Sequence, residues 1–394
     1  MNTVKLSDTV YYVGAVDWNL RDFHGYTTPR GVTYNSYLIV DEKVCLIDTV
    51  KAPFAPELLD RISEIIDPKK IDYIITNHIE PDHSSGLPFI MSKAPQAKVL
   101  LTEHGRTGII KHYQQTYDFQ VVKEGDVLDL GRNKLQFVPV PMLHWPDSMI
   151  SYLTGEQILF SNDAFGQHIS TTKRFDDEND LAELIYEAEK YYANILQPFG
   201  KLVVKAVNQL KELPVKMVAP SHGIVWRKHI PDIIAKYQDW GQGKALPKVV
   251  IAYDSMWGST ERMARMILDG VASTGVAGQL YKMSTADRSE VVRDMLQAGG
   301  VLLGSPTLNN GMLPTMGALT TYLKGLRPNG KIGAAFGAYG WGGGSQKALE
   351  EMMTGSGIAI EQPGLSLKWV PDADELDKCY EFGREFAQKV LARV

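Results

Sequence analysis

Cysteine is almost missing from this chain: Cys45 and Cys379 are the only two in 394 residues. Two isolated thiols make no disulfide framework. They also cannot supply the four thiolates of a common iron–sulfur or rubredoxin-type site. Long apolar runs are missing too, since none reaches the ~18 residues of a membrane span. The start, Met1-Asn2-Thr3-Val4-Lys5-Leu6-Ser7-Asp8, has no signal-peptide core. Nor is one sign of charge in large excess. Lys and Arg number 41 and Asp and Glu 46, a net charge of −5, so nothing points to nucleic acid or a membrane as a partner. These absences lead to the expectation of a soluble, cytoplasmic protein. The length suggests two or three domains, and 44% apolar residues suffice for full cores.

What the chain does have is a dense ligand motif. His78-Ile79-Glu80-Pro81-Asp82-His83 packs four metal-capable side chains into six residues. It follows residues 71–76, a short apolar run of β type. The ligands therefore stand where a strand ends and a loop begins. Two imidazoles and two carboxylates suit iron or zinc, and the carboxylate share leans toward iron.

Residues 1–240 read as mixed α/β. Strands are expected at 10–16, 36–40, 44–48, 97–102, 134–140, 157–161 and 215–219. Helices are expected at 56–66, 85–91, 106–116, about 181–195 and about 202–213. Three further candidates, His144, Asp163 and His222, each stand just after one of these strands. Loops at the ends of several strands commonly build sites in α/β architectures. The count gives four His, two Asp and one Glu. His78, Glu80 and His144 are assigned to one metal and Asp82, His83 and His222 to a second, with Asp163 bridging. Seven ligands with one shared fit two five- or six-coordinate ions with open positions, and not a closed structural zinc. Of the remaining histidines, His104, His112 and His229 read as surface or helix positions. His24, among Phe23 and Tyr26, is a pocket-lining and catalytic candidate, and His168 is a candidate to stand behind the ligands. Tyr191 and Tyr192 read as helix packing.

Residues 240–247, Trp-Gly-Gln-Gly-Lys-Ala-Leu-Pro, read as a linker. The boundary falls between domains 1–245 and 246–394. After it, β and α alternate at a spacing that predicts a doubly wound parallel sheet. Its ligand should lie at the carboxyl ends of the strands. Ser255, Met256, Trp257, Gly258, Ser259 and Thr260 offer three hydroxyls and the amides of a helix N-terminus, a phosphate cradle. That loop lacks the Lys of a Walker loop. Pro306, Thr307, Leu308, Asn309, Asn310 and Gly311 form the second loop. Ala338, Tyr339, Gly340, Trp341, Gly342 and Gly343 form the third. Together they suit FMN, whose flat ring can stack on aromatics and bond to backbone.

The motif His78-x-Glu80-x-Asp82-His83 with His144, Asp163 and His222, followed by a flavin-type sheet, resembles the flavodiiron proteins. The resemblance spans essentially the whole chain. It implies a metallo-β-lactamase-like αββα domain followed by a flavodoxin-like one. It implies two Fe in a diiron centre, FMN, and reduction of O2 to water or NO to N2O. Hydrolases of the lactamase type commonly have His where this chain has Glu80, and in some family members the residue matching His83 does not ligate. The electron donor implied is rubredoxin or a similar small redox protein, or a reduced deazaflavin, and is expected to be a separate partner. A head-to-tail homodimer, or a dimer of dimers, is implied as well. Two other readings stay open: a dinuclear zinc hydrolase with a fused flavin domain, and an electron carrier whose first domain is a metal-free scaffold.

Overall fold

The computed structural model describes residues 3–394. The chain forms two compact units. The first takes the chain up to Tyr191 together with Lys201–Gln238, and the second takes Tyr192–Gly200 with Asp239–Val394.

Branched apolar runs build two sheets in the first unit. One has seven strands, in the order Val4–Lys5, Val10–Tyr12, Tyr37–Val40, Val44–Ile47, Ile71–Ile75, Lys98–Leu101 and Phe119–Val121. The other has five: Val127–Asp129, Lys134–Pro139, Met149–Leu153, Ile158–Phe160 and Met217–Ala219. Successive strand residues point to opposite faces, and in the central strands Tyr37–Val40 and Val44–Ile47 both faces are buried. Ile39, Ile47 and Ile75 join Phe137, Met149 and Phe160 in a core that draws on both sheets. Leu38, Leu46 and Ile74 join Leu58, Ile62 and Ile90 of the helices Ala55–Ile65 and Leu87–Met91. This is the lactamase-like arrangement expected from the sequence.

Three local expectations change. Residues 10–16 are two strands, because Val10–Tyr12 pairs with Tyr37–Val40 whereas Ala15–Asp17 leaves that sheet to pair with Val32–Tyr34. The ligand loop contains a helical turn, Pro81–Ser84, started by a proline whose missing N–H would have no partner there anyway. The helix expected over 181–195 ends as an α-helix at Tyr191, opens into a wider π turn over Tyr192–Leu196, and tightens over Gln197–Phe199. Pro198 has no N–H for the next helical bond. Asn194 is held from both sides: its amide donates to the Ser289 carbonyl at 3.1 Å and its oxygen accepts from Tyr322 at 2.9 Å.

The second unit is one six-stranded sheet. Its order is Ala277–Lys282, Leu246–Tyr253, Ala298–Gly304, Ile332–Tyr339, with Ala359–Ile360 and Leu365–Lys368 both pairing to the last of these. Every pair is parallel, and the order is the flavodoxin-like one. Among the described residues no helix is long and apolar enough to cross a membrane.

Candidate functional site

Four loops at strand ends converge in the first unit. His78, Asp163 and His222 each stand three residues past a strand, namely Ile71–Ile75, Ile158–Phe160 and Met217–Ala219. His144 lies in the turn between Lys134–Pro139 and Met149–Leu153. The loop after Phe160 is pinned by its backbone: the Phe165 amide donates to the Tyr237 hydroxyl at 2.7 Å and the Phe165 carbonyl accepts from the Trp226 indole at 2.8 Å. Past His222 the chain turns at Gly223 with φ +82°, where a Cβ would lie 2.0 Å from the Gln167 side chain, so only glycine fits.

All seven predicted side chains come together, in two groups. In the first, His144 Nε2 lies 3.3 Å from Glu80 Oε2 and 3.1 Å from Asp163 Oδ2, and His78 Nε2 lies 3.3 Å from Glu80 Oε2. In the second, His83 Nε2 lies 3.4 Å from Asp82 Oδ2, and His222 Nε2 lies 3.2 Å from the same oxygen. The other oxygen of Asp163, Oδ1, faces this second group, 3.1 Å from His83 and 3.5 Å from His222. One carboxylate therefore presents one oxygen to each group.

Five of the seven donors are buried, Glu80 and His144 are partly so, and several are orphaned. Both oxygens of Asp82, Oδ1 of Asp163 and both ring nitrogens of His83 have no hydrogen-bond partner in the protein. Close approach of His83 to Asp163 is thus not a formed hydrogen bond. Buried polar atoms left unpaired are costly, and a ligated cation would satisfy the carboxylate oxygens and the Nε2 of His83. Charge points the same way. Burial opposes the imidazolium form of His78, yet bonds to Asp147 and Glu80 lift it to about 10. His144 rises to about 10 against the same burial, beside Asp163 and Glu80. Burial also disfavours the charged forms of Glu80 and Asp163, but the imidazoles around them hold both carboxyls well below the usual range. The pocket is a set of anionic oxygens with positive charge drawn in between them.

Sequence reasoning missed the groups that aim the ligands. Asp147 Oδ2 lies 2.9 Å from His78 Nδ1 and accepts from the Ile79 amide at 2.8 Å. The Thr33 carbonyl lies 2.7 Å from His222 Nδ1. Each leaves the Nε2 of its imidazole for the centre. A backbone carbonyl leaves no mark in a sequence. Asp147 reads as an ordinary turn residue until the strand after it is recognised.

The other candidates fall as follows. His24 has a side chain 78% exposed, with Nε2 3.8 Å from Glu80 Oε1. His168 is fully buried, its ring 4.9 Å from that of His222 and close to Phe23, Tyr26 and Tyr191. Burial first, and the neighbouring His222 second, drive it well below the ordinary imidazole range, so it is neutral. Tyr191 packs on His168 and Tyr192 on Trp240. His104 and His112 are exposed and His229 is partly so.

In the second unit a cleft of about 570 Å³ opens at the carboxyl ends of the strands. All three predicted loops line it, through Ser255, Met256, Trp257, Ser259, Thr260, Pro306, Thr307, Asn309, Asn310, Ala338, Tyr339, Gly340, Trp341 and Gly342. Gly258, Leu308, Gly311 and Gly343 stand outside the lining. Gly258 takes φ +87° to start the helix Ser259–Ala272, and Leu308 and Gly311 bond to each other across a tight turn at 2.9 Å. Trp369 and Val370, just past Leu365–Lys368, complete the wall unforeseen. The lining has hydroxyls and a helix N-terminus but no Lys or Arg, which suits a phosphate held by neutral donors. Its indoles suit a flat ring: Trp341 and Trp369 lie 6.2 Å apart.

Comparison with known proteins agrees with both halves. A family model described as "ODP family beta lactamase" matches residues 32–223, and one described as "Flavodoxin" matches 251–383. The nitric oxide reductase of Moorella thermoacetica is 48% identical over 98% of each chain. The rubredoxin-oxygen oxidoreductase of Megalodesulfovibrio gigas is 40% identical over 100% of each. The solved structure of the flavodiiron protein from Giardia intestinalis superposes with a TM-score of 0.97 at 36% identity, covering 100% of this chain and 98% of that one. Identity at this level over the full length is beyond chance likeness, and the chain belongs to the flavodiiron protein family.

Proposed function

We propose that this protein is a reductase of O2 to water, of NO to N2O, or of both. Two irons would be held in the first unit, one by His78, Glu80 and His144 and the other by Asp82, His83 and His222, with Asp163 offering an oxygen to each. The observation that carries this reading is the Asp163 carboxylate, buried and offering one oxygen to each group of donors. Carboxylates make up three of the seven donors, which favours iron over zinc. Bound irons would supply electrons and Lewis acidity. The chain's own part is to hold that geometry. Asp147 and the Thr33 carbonyl fix two imidazoles, while the buried wall keeps bulk water from the reacting atoms. His24, at the exposed edge beside Glu80, is placed to meet whatever enters there.

FMN in the second-unit cleft would pass electrons inward from an outside donor. Rubredoxin or a similar small redox protein fits best, given the printed name of the relative from Megalodesulfovibrio gigas, and a reduced deazaflavin is the other candidate. The assembly we propose is a head-to-tail homodimer, alone or doubled, in the cytoplasm. The test is metal and flavin content of protein purified without oxygen, followed by consumption of O2 and NO by the reduced protein. About two iron and one FMN per chain, with turnover of either gas, is the expected result. Zinc in the site and hydrolysis without electrons would sink the proposal.

A further inference from the structure

We infer that the buried carboxylate of Asp254 decides which phosphates the second-unit cleft accepts: its charge turns away free phosphate and leaves room only for one tethered to a ring. The inference rests on the reading that FMN occupies this cleft.

Asp254 follows the strand Leu246–Tyr253 and stands just before the cradle loop that begins at Ser255. It is 3% exposed. Its Oδ1 accepts from the Ser255 amide at 2.8 Å and from the Ser284 hydroxyl at 3.0 Å. Its Oδ2 accepts from the Thr315 hydroxyl at 2.6 Å. A carboxylate offers only acceptors, and all three neighbours are neutral donors. Thr315 lies in the first turn of helix Pro314–Leu326, whose N-cap residue, Leu313, supplies no side-chain cap. The carboxylate thus stands where a helix N-terminus favours an anion.

No cation answers this charge. Among the described residues Asp254 has no ion pair, and its partners are the three donors above. Lys282 lies beside Tyr253 on the neighbouring strand, but its Nζ bonds to Glu261 at 3.0 Å. The cleft lining has no Lys or Arg. A buried carboxylate without a cation is costly, and here it also abuts an anion site. Ser255, whose amide it holds, lines the cleft, and its Oγ accepts from the Gly258 amide at 3.1 Å where the next helix starts. A phosphate in the cradle therefore meets a fixed like charge at close range.

Such a repulsive element is how sites reject wrong partners. Free phosphate has only the cradle to hold it, so the repulsion decides against it. FMN brings a flat ring as well, and the indoles of Trp341 and Trp369 stand in the same cleft to stack on it. Asp254 touches neither ring nor reacting atoms; it is a specificity residue acting through charge.

The test uses the full-length protein with its metal and freed of flavin, as wild type and as Asp254→Asn. The substitution keeps the shape and an oxygen for the Ser255 amide, and removes the charge. Calorimetry measures the binding of inorganic phosphate. Fluorescence measures FMN and riboflavin, which is the same ring without the phosphate. In Asp254→Asn, inorganic phosphate and FMN should each bind about tenfold more tightly, the scale of one like charge removed at close range. Riboflavin should stay within about twofold of wild type. A residue that only ties loops together shifts FMN and riboflavin alike. Phosphate binding that is equal in the two proteins, or absent from both, overturns the inference, and so does a riboflavin shift as large as that of FMN. If Asp254→Asn does not fold, Asp254→Ser, also neutral, decides by the ratio of FMN to riboflavin affinity. A rise in that ratio is expected, and an unchanged or lower ratio is fatal. A wild type that takes up no FMN refutes the placing of FMN alone, because inorganic phosphate still judges Asp254.

Discussion

The two candidate sites are built on opposite terms. The metal centre is made of charged groups withdrawn from water: His78, His83 and Asp163 are 0–1% exposed. The cleft of the second unit is made of hydroxyls, backbone and indoles, and its rim is open: Trp257 is 92% and Trp341 90% exposed. In the first, low dielectric makes each carboxylate a strong ligand and leaves it costly without a cation. In the second, neutral donors could hold a phosphate without competing salt bridges, and the rim is open to solvent. A substitution should therefore damage one site and spare the other, which allows the comparison to be broken.

The largest effect is expected at Asp163. Asp163→Ala removes an oxygen from each group at once and leaves His78, His83 and His144 without the carboxylate they share. Iron should fall below one per chain and gas turnover by at least about 100-fold, above the usual loss from a supporting residue, while FMN stays bound. Metal analysis beside the flavin absorbance checks both halves. Two irons retained in this variant would refute the bridge.

Asp147→Asn should come next. It keeps the shape but weakens the acceptor at 2.9 Å from His78 Nδ1, and carboxylate partners of this kind are worth about 10–100-fold in metal affinity. Competition with a chelator measures it. Glu80 on the same imidazole is unchanged by the substitution, so an equal loss from Asp147→Ala and Asp147→Asn would point to charge, whereas a loss in Asp147→Ala alone would point to packing.

How far each site could be read ahead differs for the same physical reason. The clustering of the candidate ligands was legible because chemistry-bearing residues sit just past apolar strands, as with Asp163 after Ile158–Phe160 and His222 after Met217–Ala219. Their supports were not, since Thr33 acts through its carbonyl and Asp147 through a strand, Met149–Leu153, that went unread. Three loops of the cleft were legible from strand ends. The fourth was available by the same rule: Leu365 and Leu367 alternate as a strand does, and Trp369 follows them. The turn at Tyr192 was hidden because apolar periodicity continues through it, whereas the backbone widens there and Asn194 bonds to Ser289 and Tyr322.

A smaller effect is expected at the open rim. Trp341→Ala removes an indole that is almost wholly exposed and 6.2 Å from Trp369. Stacking of this kind is worth about 0.5–1.5 kcal/mol beyond buried area, so FMN should bind up to about tenfold more weakly, with iron content untouched. Fluorescence titration of the flavin-free protein measures it. A loss of iron in this variant would end the claim that the two sites fail separately.

The last effect spares both sites and concerns buried charge alone. In the metal unit buried charges answer one another; in the second unit Lys331 is 3% exposed and its Nζ bonds to the Leu296 carbonyl at 2.7 Å. Burial lowers its pKa from 10.5 to about 8. Between those values the unfolded chain binds more protons than the folded one, so stability rises with pH across the window. Below about 8 the folded state carries the full cost of a buried ammonium. Lys331→Met removes the charge and orphans the Leu296 carbonyl. At about 1.4 kcal/mol per pKa unit, less about 1 kcal/mol for the lost bond, the gain near pH 7 should be on the order of 2 kcal/mol. Flavin release on heating reports unfolding of this unit. Between pH 7.5 and 10 the wild type should gain on this group while the variant does not, so the gap between them narrows. A gap that stays constant would show that Lys331 is paired in the folded state and not merely buried.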